Sequence, residues 1–421
     1  MAADHNPPLG AAYSPDELAY EGSRALSYGL REVSRRLLGP YADHFRGLTS
    51  CGYPAPRGDW VSALLVEEEG RYRVRFGGLM TCGSPWACPV CAPTLAEERG
   101  EALARAVARL VALGYRAVHV VLTVRHTAGQ PLVEVFGALT RAWRWAWGHR
   151  RLKGLLRGVA YARSVEATFG RHGWHPHIHA LLLVPPGRDP WALEEPLWEV
   201  WSEAVLAVGW EASSRAAYRF QVVEGEEALG LVSRYTAKGP WGLGQEVAGG
   251  PLKEGEAGLT PFQLLGAAYA GGAVELSEDD PLVVEGGGGL ILREFCGHAL
   301  RHATRLGITP EEAAYRWVEW AEATRGRKAL TMSRALTLLF REALEAVEAE
   351  EASRVPLEVV YLARRAYVWL LRSGRLAYWV HVAEALGSLV LACELLGLVE
   401  GEEWWEAVEE RGPPLQEAER L

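Results

Sequence analysis

The chain has 421 residues, 49% of them apolar, which is ample for more than one hydrophobic core. Its net charge of −9 argues, as an average, against a polyanionic partner, and six cysteines in so long a chain exclude a disulfide framework. The first residues lack the basic, apolar and small-residue pattern of a secretory leader, so a cytoplasmic protein is expected. The average charge hides an asymmetry. Arg99 to Val165 carries twelve Arg or Lys against two Glu, whereas Arg341 to Leu421 carries eight Arg against sixteen Glu. A basic segment inside an acidic chain is the electrostatic footprint of a polyanion site. Basic residues are almost all Arg, and Asn6 is the single asparagine. Both a hot cytoplasm and a GC-rich genome produce that bias.

In chain order, residues 1–95 predict a helix over 15–38, a hairpin of Trp60 to Val66 with Arg71 to Phe76, and then the cysteines Cys82, Cys88 and Cys91. Thr94 and Glu97 have the spacing of a capping box opening a helix that Gly114 stops. Residues 96–240 predict strand 116–124, helix 131–149, strands 158–168 and 176–184, helix 190–208 and strand 218–223. That β-α-β-β-α-β order predicts an α+β, ferredoxin-like domain, an antiparallel sheet with helices on one face. A helix over Glu226 to Lys238 follows it. Residues 241–308 are Gly/Pro-rich connection with a helical piece at Pro261 to Ala270, and 309–421 reads as helical. The most apolar stretch, Leu376 to Cys393, holds His381 and Glu384 near its middle, so it predicts a buried helix and no membrane span.

The segment Gly173 to Val184 reads GWHPHIHALLLV. In a strand His177 and His179 project from one face, because the side-chain period is two. His175 shares that parity unless Pro176 starts the strand and turns it away. A hairpin turning at Arg171 to Gly173 would pair residues whose numbers sum to 343 or 345, which sets Glu166 on the histidine face. An even sum would set it on the other, so loop length decides. Two imidazoles and a carboxylate with open positions suit a divalent ion that activates a substrate. The bland alternative is a polar sheet patch or a zinc site without catalysis.

Tyr235 and Lys238 are spaced to share a helix face. A tyrosine with a pKa near ~10 is a poor nucleophile alone, but a metal clamping phosphodiester oxygens lowers that demand. Cys82, Cys88 and Cys91 supply three thiolates of a structural zinc site, with Cys51 the first choice for the fourth and His44 the second. Cys296 and Cys393 read as core residues. Arg141, Arg144, Arg150, Arg151 and Lys153 alternate with Trp143, Trp145 and Trp147, a pattern that can track phosphates and stack bases, or simply anchor a helix on the sheet.

Three segments together resemble the HUH endonuclease superfamily, with Ile178 as the bulky residue between the histidines, and more closely its single-tyrosine initiators of rolling-circle plasmid replication. They are His119 to Thr127, Arg163 to Val184 and Leu231 to Gly242; Cys82 to Arg99 is similar to the family's zinc module. The likeness thins after about Ala335. It implies that Tyr235 attacks a scissile phosphate in a single-stranded or cruciform origin, leaving a 5′-phosphotyrosine and a free 3′-OH, with Lys238 assisting. It also implies that His177, His179 and Glu166 hold Mg²⁺ or Mn²⁺, and that a host helicase and DNA polymerase are partners. There is one departure: some relatives carry a glutamate four residues before the tyrosine, where this chain has Leu231. Glu227 lies eight residues before Tyr235, about 12 Å away along a helix, too far to serve the same phosphate. A transposase or conjugative relaxase shares the chemistry, and a zinc-stabilised DNA-binding regulator without catalysis is the reading from another class.

Overall fold

The computed structural model describes residues 24–68, 70–211, 213–225, 258–274, 288–396 and 398. In chain order these form α1 (Arg24–Leu38), α2 (Arg46–Ser50), β1 (Trp60–Glu68), β2 (Arg71–Gly77), α3 (Cys91–Ala112), β3 (Arg116–Thr123), α4 (Leu132–Gly148) and α5 (Arg150–Leu155). Then come β4 (Ala160–Gly170), β5 (Gly173–Val184), α6 (Glu194–Ala207), β6 (Tyr218–Val223), α7 (Pro261–Ala270), α8 (Gly288–Leu306) and α9 (Pro310–Thr324). The last are β7 (Leu330–Met332), α10 (Arg334–Ala352), β8 (Glu358–Ala363), α11 (Arg364–Arg372), α12 (Arg375–Leu386) and α13 (Leu389–Leu395). The class is α+β with antiparallel sheets. Contacts divide the chain into two units: one includes residues 95–260 and 322–347, the other 22–94, 261–321 and 348–421.

The first unit holds a five-stranded sheet in the order β6-β3-β5-β4-β7, every neighbour antiparallel. One face carries Val118, Val120, Leu122, Ile178, Ala180 and Leu182, all buried. Helix α4 lies there, since Trp143 packs under the Arg163 guanidinium and edge-on to Tyr161, which pair with Ala180 and Leu182. Helix α6 packs on α4. Its start is favoured by Glu194 and Glu195 in the first turn, against the helix dipole.

Helices were expected on one face only, and the structure corrects this. Ala117, Ala160, Ala162, Leu181 and Leu183 on the other face are covered by Leu103, Ala106 and Val107 of α3 and by Leu336 and Phe340 of α10. Those strand ends are apolar on both faces, so one helical layer would leave a greasy half-sheet in water. Strand β7, in a segment expected to be helical, extends the sheet along β4.

The second unit builds a three-stranded sheet, β2-β1-β8. Val61, Ala63, Leu65, Val74, Val360 and Leu362 point into a core closed by Tyr367, Leu370, Trp379, Val380 and Leu389. β8 was also expected to be helical; its β-branched Val359 and Val360 pair with β1, nearly three hundred residues upstream. The apolar stretch 376–393 is two helices broken at Gly387, which has φ +66° and whose Cβ, if present, would lie 2.5 Å from the Tyr72 ring. Among the described residues no helix is long and apolar enough to cross a membrane.

Thr94 does not open α3 as the capping-box spacing suggested. The helix already starts at Cys91, and the Thr94 hydroxyl donates back to the Val90 carbonyl.

Candidate functional site

β4 and β5 are joined by a two-residue turn, with Gly170 opposite Gly173. Gly173 has φ +83°, and a Cβ there would lie 2.9 Å from Ala128, so the turn demands glycine. This turn sets the register: Glu166 stands opposite His177, a sum of 343, and Ser164 opposite His179. The carboxylate and both histidines therefore share a face. β5 starts at Gly173 and runs through Pro176, so His175 keeps the same parity rather than being turned away. β3 ends at Thr123, opposite His177, so on that side Pro176 has no ladder partner to miss its N–H.

Glu166 and His179 are both buried, and His179 Nε2 donates to Glu166 Oε1 at 2.6 Å. His119, on β3, stacks on His179 with ring centroids 5.4 Å apart, its Nε2 3.3 Å from His179 Nδ1. On the other side His175 lies 4.5 Å from His177 between ring centroids, and His126 Nε2 is 2.6 Å from His175 Nδ1. His126 Nδ1 lies 3.1 Å from the His172 carbonyl, which can only accept. His126 thus donates through Nδ1 and accepts through Nε2. His175 donates through Nδ1, and its Nε2 carries the lone pair. His119 and His126 are two residues that the reading of the sequence did not select. Both lie in the 119–127 segment, but their nearness to β5 depends on register and on a loop, which no local pattern reports.

Burial holds His119, His126, His175 and His177 neutral, the form that ligates metal. Desolvation pushes His177 and His119 down to about 3 and His175 to about 4. For His119 the neighbouring His179 adds to that, whereas for His177 the Glu166 carboxylate opposes it. The linkage has a definite sign. Between about pH 4 and 6.5 the unfolded chain binds protons that the native chain refuses, so stability is full above 6.5 and falls as pH drops. Each such histidine contributes a slope of up to about 1.4 kcal/mol per pH unit. Urea unfolding at pH 7.5 and 5.0 should show the loss, and His119→Gln should reduce it; equal midpoints at the two pH values would refute it.

The cysteines form a second cluster, in the other unit. Cys51 Sγ lies 3.6 Å from the sulfurs of both Cys88 and Cys91, and Cys82 Sγ is 3.8 Å from Cys91 Sγ. All four ligand atoms lie within 4.8 Å of one another. A tetrahedron with Zn–S bonds of ~2.3 Å has edges of ~3.8 Å, so the set has the dimensions of a four-thiolate zinc site. The Cys91 amide donates to Cys88 Sγ and the Ser84 amide to Cys82 Sγ, which leaves the thiolate charge partly dispersed. Cys51 is held by Arg35, whose guanidinium donates to its carbonyl. Cys51, not His44, joins the three clustered cysteines. Cys296 and Cys393 are buried elsewhere.

A replication protein family model matches residues 74–205, which include Cys82, Cys88, Cys91 and the whole histidine face. "Protein rep" of Streptomyces lividans is 29% identical over 338 residues, covering 66% of this chain and 67% of that protein. "Neomycin resistance protein" of Streptomyces cyanogenus is 33% identical over 135 residues, 25% of this chain and 31% of that protein. Residues 74–205 are thus similar to replication proteins. No solved structure matches the chain.

The basic residues Arg141, Arg144, Arg150, Arg151 and Lys153 are exposed on α4 and α5. α4 lies on the sheet face away from the histidines. Arg151 pairs with Glu199 and Glu203 of α6, so its charge is already met. Trp143 and Trp147 stack on each other over Tyr161, which favours their anchoring role. Tyr235 and Lys238, with the helix expected around them, lie outside the described residues. The described stretch before them ends at Gly225, just after β6, the strand beside β3.

Proposed function

We propose that this protein initiates rolling-circle replication of a plasmid by nicking and rejoining one strand of its origin. The observation that carries the reading is the pairing of Glu166 with the His177 and His179 face, within residues that match a replication protein family model. The strand order β6-β3-β5-β4 also agrees with the ferredoxin-like arrangement of an HUH nuclease, the order in which a β-α-β-β-α-β chain pairs its fourth, first, third and second strands.

In this reading His177, His179 and Glu166 hold one Mg²⁺ or Mn²⁺, and His119, behind His179, steadies the ring. The ion, when bound, supplies a Lewis acid to the non-bridging oxygens of the scissile phosphate. Tyr235 Oη attacks phosphorus, the P–O3′ bond breaks, and the 3′ oxygen takes up a proton. The 5′ phosphate stays on the tyrosine, and Lys238 offsets the developing charge. The phosphodiester energy is kept, so the reverse attack rejoins the strand. The free 3′-OH suits a host DNA polymerase, and the displaced strand requires a helicase. The cysteine cluster holds zinc as a clamp, since four thiolates leave no open position for chemistry.

The test is a cleavage assay on single-stranded candidate origin hairpins with Mn²⁺. Protein that becomes covalently attached to nicked DNA supports an initiator, whereas a mobility shift with no adduct would identify a non-catalytic regulator. A transposase or relaxase shares the adduct, but the relatives found are named for replication and resistance. In the same assay His177→Ala and His179→Ala should lose at least about a hundred-fold in metal-dependent adduct formation. Glu166→Gln keeps the hydrogen bond geometry but not the charge, and should raise the Mn²⁺ needed for half-activity. Wild-type activity in either histidine variant would sink the metal assignment.

A further inference from the structure

Helix α11 lies in a part of the chain unlike its surroundings. Between Glu358 and Glu384 the sequence has four arginines, Arg364, Arg365, Arg372 and Arg375, and no acid, inside a C-terminal segment that is acidic overall. Elsewhere this protein pairs its helical arginines with glutamates one turn away, as in Arg36 with Glu32, Arg105 with Glu101 and Arg316 with Glu312. Arg372, at the end of α11, has no acid within four residues on either side. Two arginines in the first turn also oppose the helix dipole, so helix stability is not what selects them.

The periodicity sorts the side chains. Ala366, Tyr367, Leu370 and Leu371 are buried in the core of the second unit. Arg365, Trp369 and Arg372 follow one another at four and three residues, on the opposite, exposed face. Arg364 is used structurally, donating to the carbonyls of Ala55 and Gly58. Trp369 is 41% exposed, a large aromatic left in water, and the Arg375 guanidinium lies over its ring at 4.9 Å. Among the described residues Arg372 and Arg375 make no ion pair. An exposed aromatic beside Arg372 and Arg375, whose guanidiniums no described acid answers, matches the chemistry of a strand of nucleic acid, phosphates for the arginines and a base for the ring.

We infer that Trp369 and Arg372 of α11, with Arg375, form a second DNA-contacting surface that grips single-stranded DNA without reading its sequence. It lies outside the segment matched by the replication protein family model. The inference rests on the proposed function for the source of the DNA, and extends it by locating an anchoring surface separate from the nicking residues.

The test uses the full chain and a labelled, mixed-sequence single-stranded oligonucleotide, followed by fluorescence anisotropy across a salt series. Arg372→Ala/Arg375→Ala should weaken binding at low salt about tenfold or more. The slope of log K against log salt should flatten by about 1.4, for two phosphate contacts on a single strand. Trp369→Ala should weaken binding by about tenfold with no change of slope, and Trp369→Phe should recover most of it. The double Lys variant, Arg372→Lys/Arg375→Lys, should keep the slope, which separates charge from misfolding. Adduct formation at saturating DNA should be unchanged in all of them. An unaltered slope in the Ala variant, or weakening confined to duplex DNA, would overturn the inference. A wild-type protein that binds through this face but forms no adduct would overturn the nicking reading alone.

Discussion

Tyr235→Phe should abolish covalent attachment to origin DNA while leaving DNA affinity within about twofold, because one oxygen is lost and the aromatic ring is kept. The expected loss is at least about a thousand-fold: no neighbouring group replaces an attacking oxygen, and transition-state positioning without a nucleophile forms no bond. Lys238→Ala should be milder, since a positive charge near the phosphate assists but does not react. The measurement is denaturing electrophoresis of protein with an oligonucleotide labelled 3′ of the nick, in Mn²⁺. An adduct of normal yield in Tyr235→Phe would move the nucleophile elsewhere, and Tyr218 would be the next to test. Tyr218 is poorly suited as it stands, for its hydroxyl donates to the Glu194 carbonyl, and burial pushes its pKa well above the ordinary phenol range.

Cys88→Ser should remove bound zinc and unfold much of the second unit. Cys88 is buried and its sulfur lies within 4.8 Å of the other three, and four thiols this close cannot all ionise without a cation to hold them. A structural zinc site contributes about 10–16 kcal/mol at neutral pH, comparable to the whole stability of a domain. The purified wild type should contain about one tightly held zinc, distinct from the exchangeable ion proposed for the histidine face. Cys88→Ser should lack it and should lose its cooperative thermal transition. Cys296→Ser is the control: that thiol is equally buried but far from the cluster in sequence and outside it in space, so it should lower stability without changing zinc content. Native protein free of zinc by elemental analysis would end this assignment.

Several elements and candidate side chains are legible from local patterns. The alternation around His177 and His179, the Cys88-x2-Cys91 spacing and the order of strands and helices from 116 to 223 are short-range signals. Strands with a period of two and helices with a period near 3.6 impose them on nearby residues. The helix at Pro261–Ala270 was read at its observed bounds for the same reason. Segments that look helical in isolation are less secure. Leu330–Met332 and Glu358–Ala363 are strands because β4 and β1 offer them open edges, and pairing across a sheet outweighs weak local preference.

What the sequence by itself determined is the inventory: which imidazoles, carboxylates and thiols exist, and which share a face of their own element. Tertiary structure decided which of them meet. The parity of Glu166 against His177 depended on a turn of two residues and on a left-handed Gly173, since a slip of one residue would have sent the carboxylate to the opposite face. Cys51 meets Cys82, Cys88 and Cys91 only once the hairpin between them has folded, and His119 and His126 reach the histidine face only through β3 and the loop after it. Register and loop closure are long-range properties, set by burial of whole faces, and a local pattern carries no record of them.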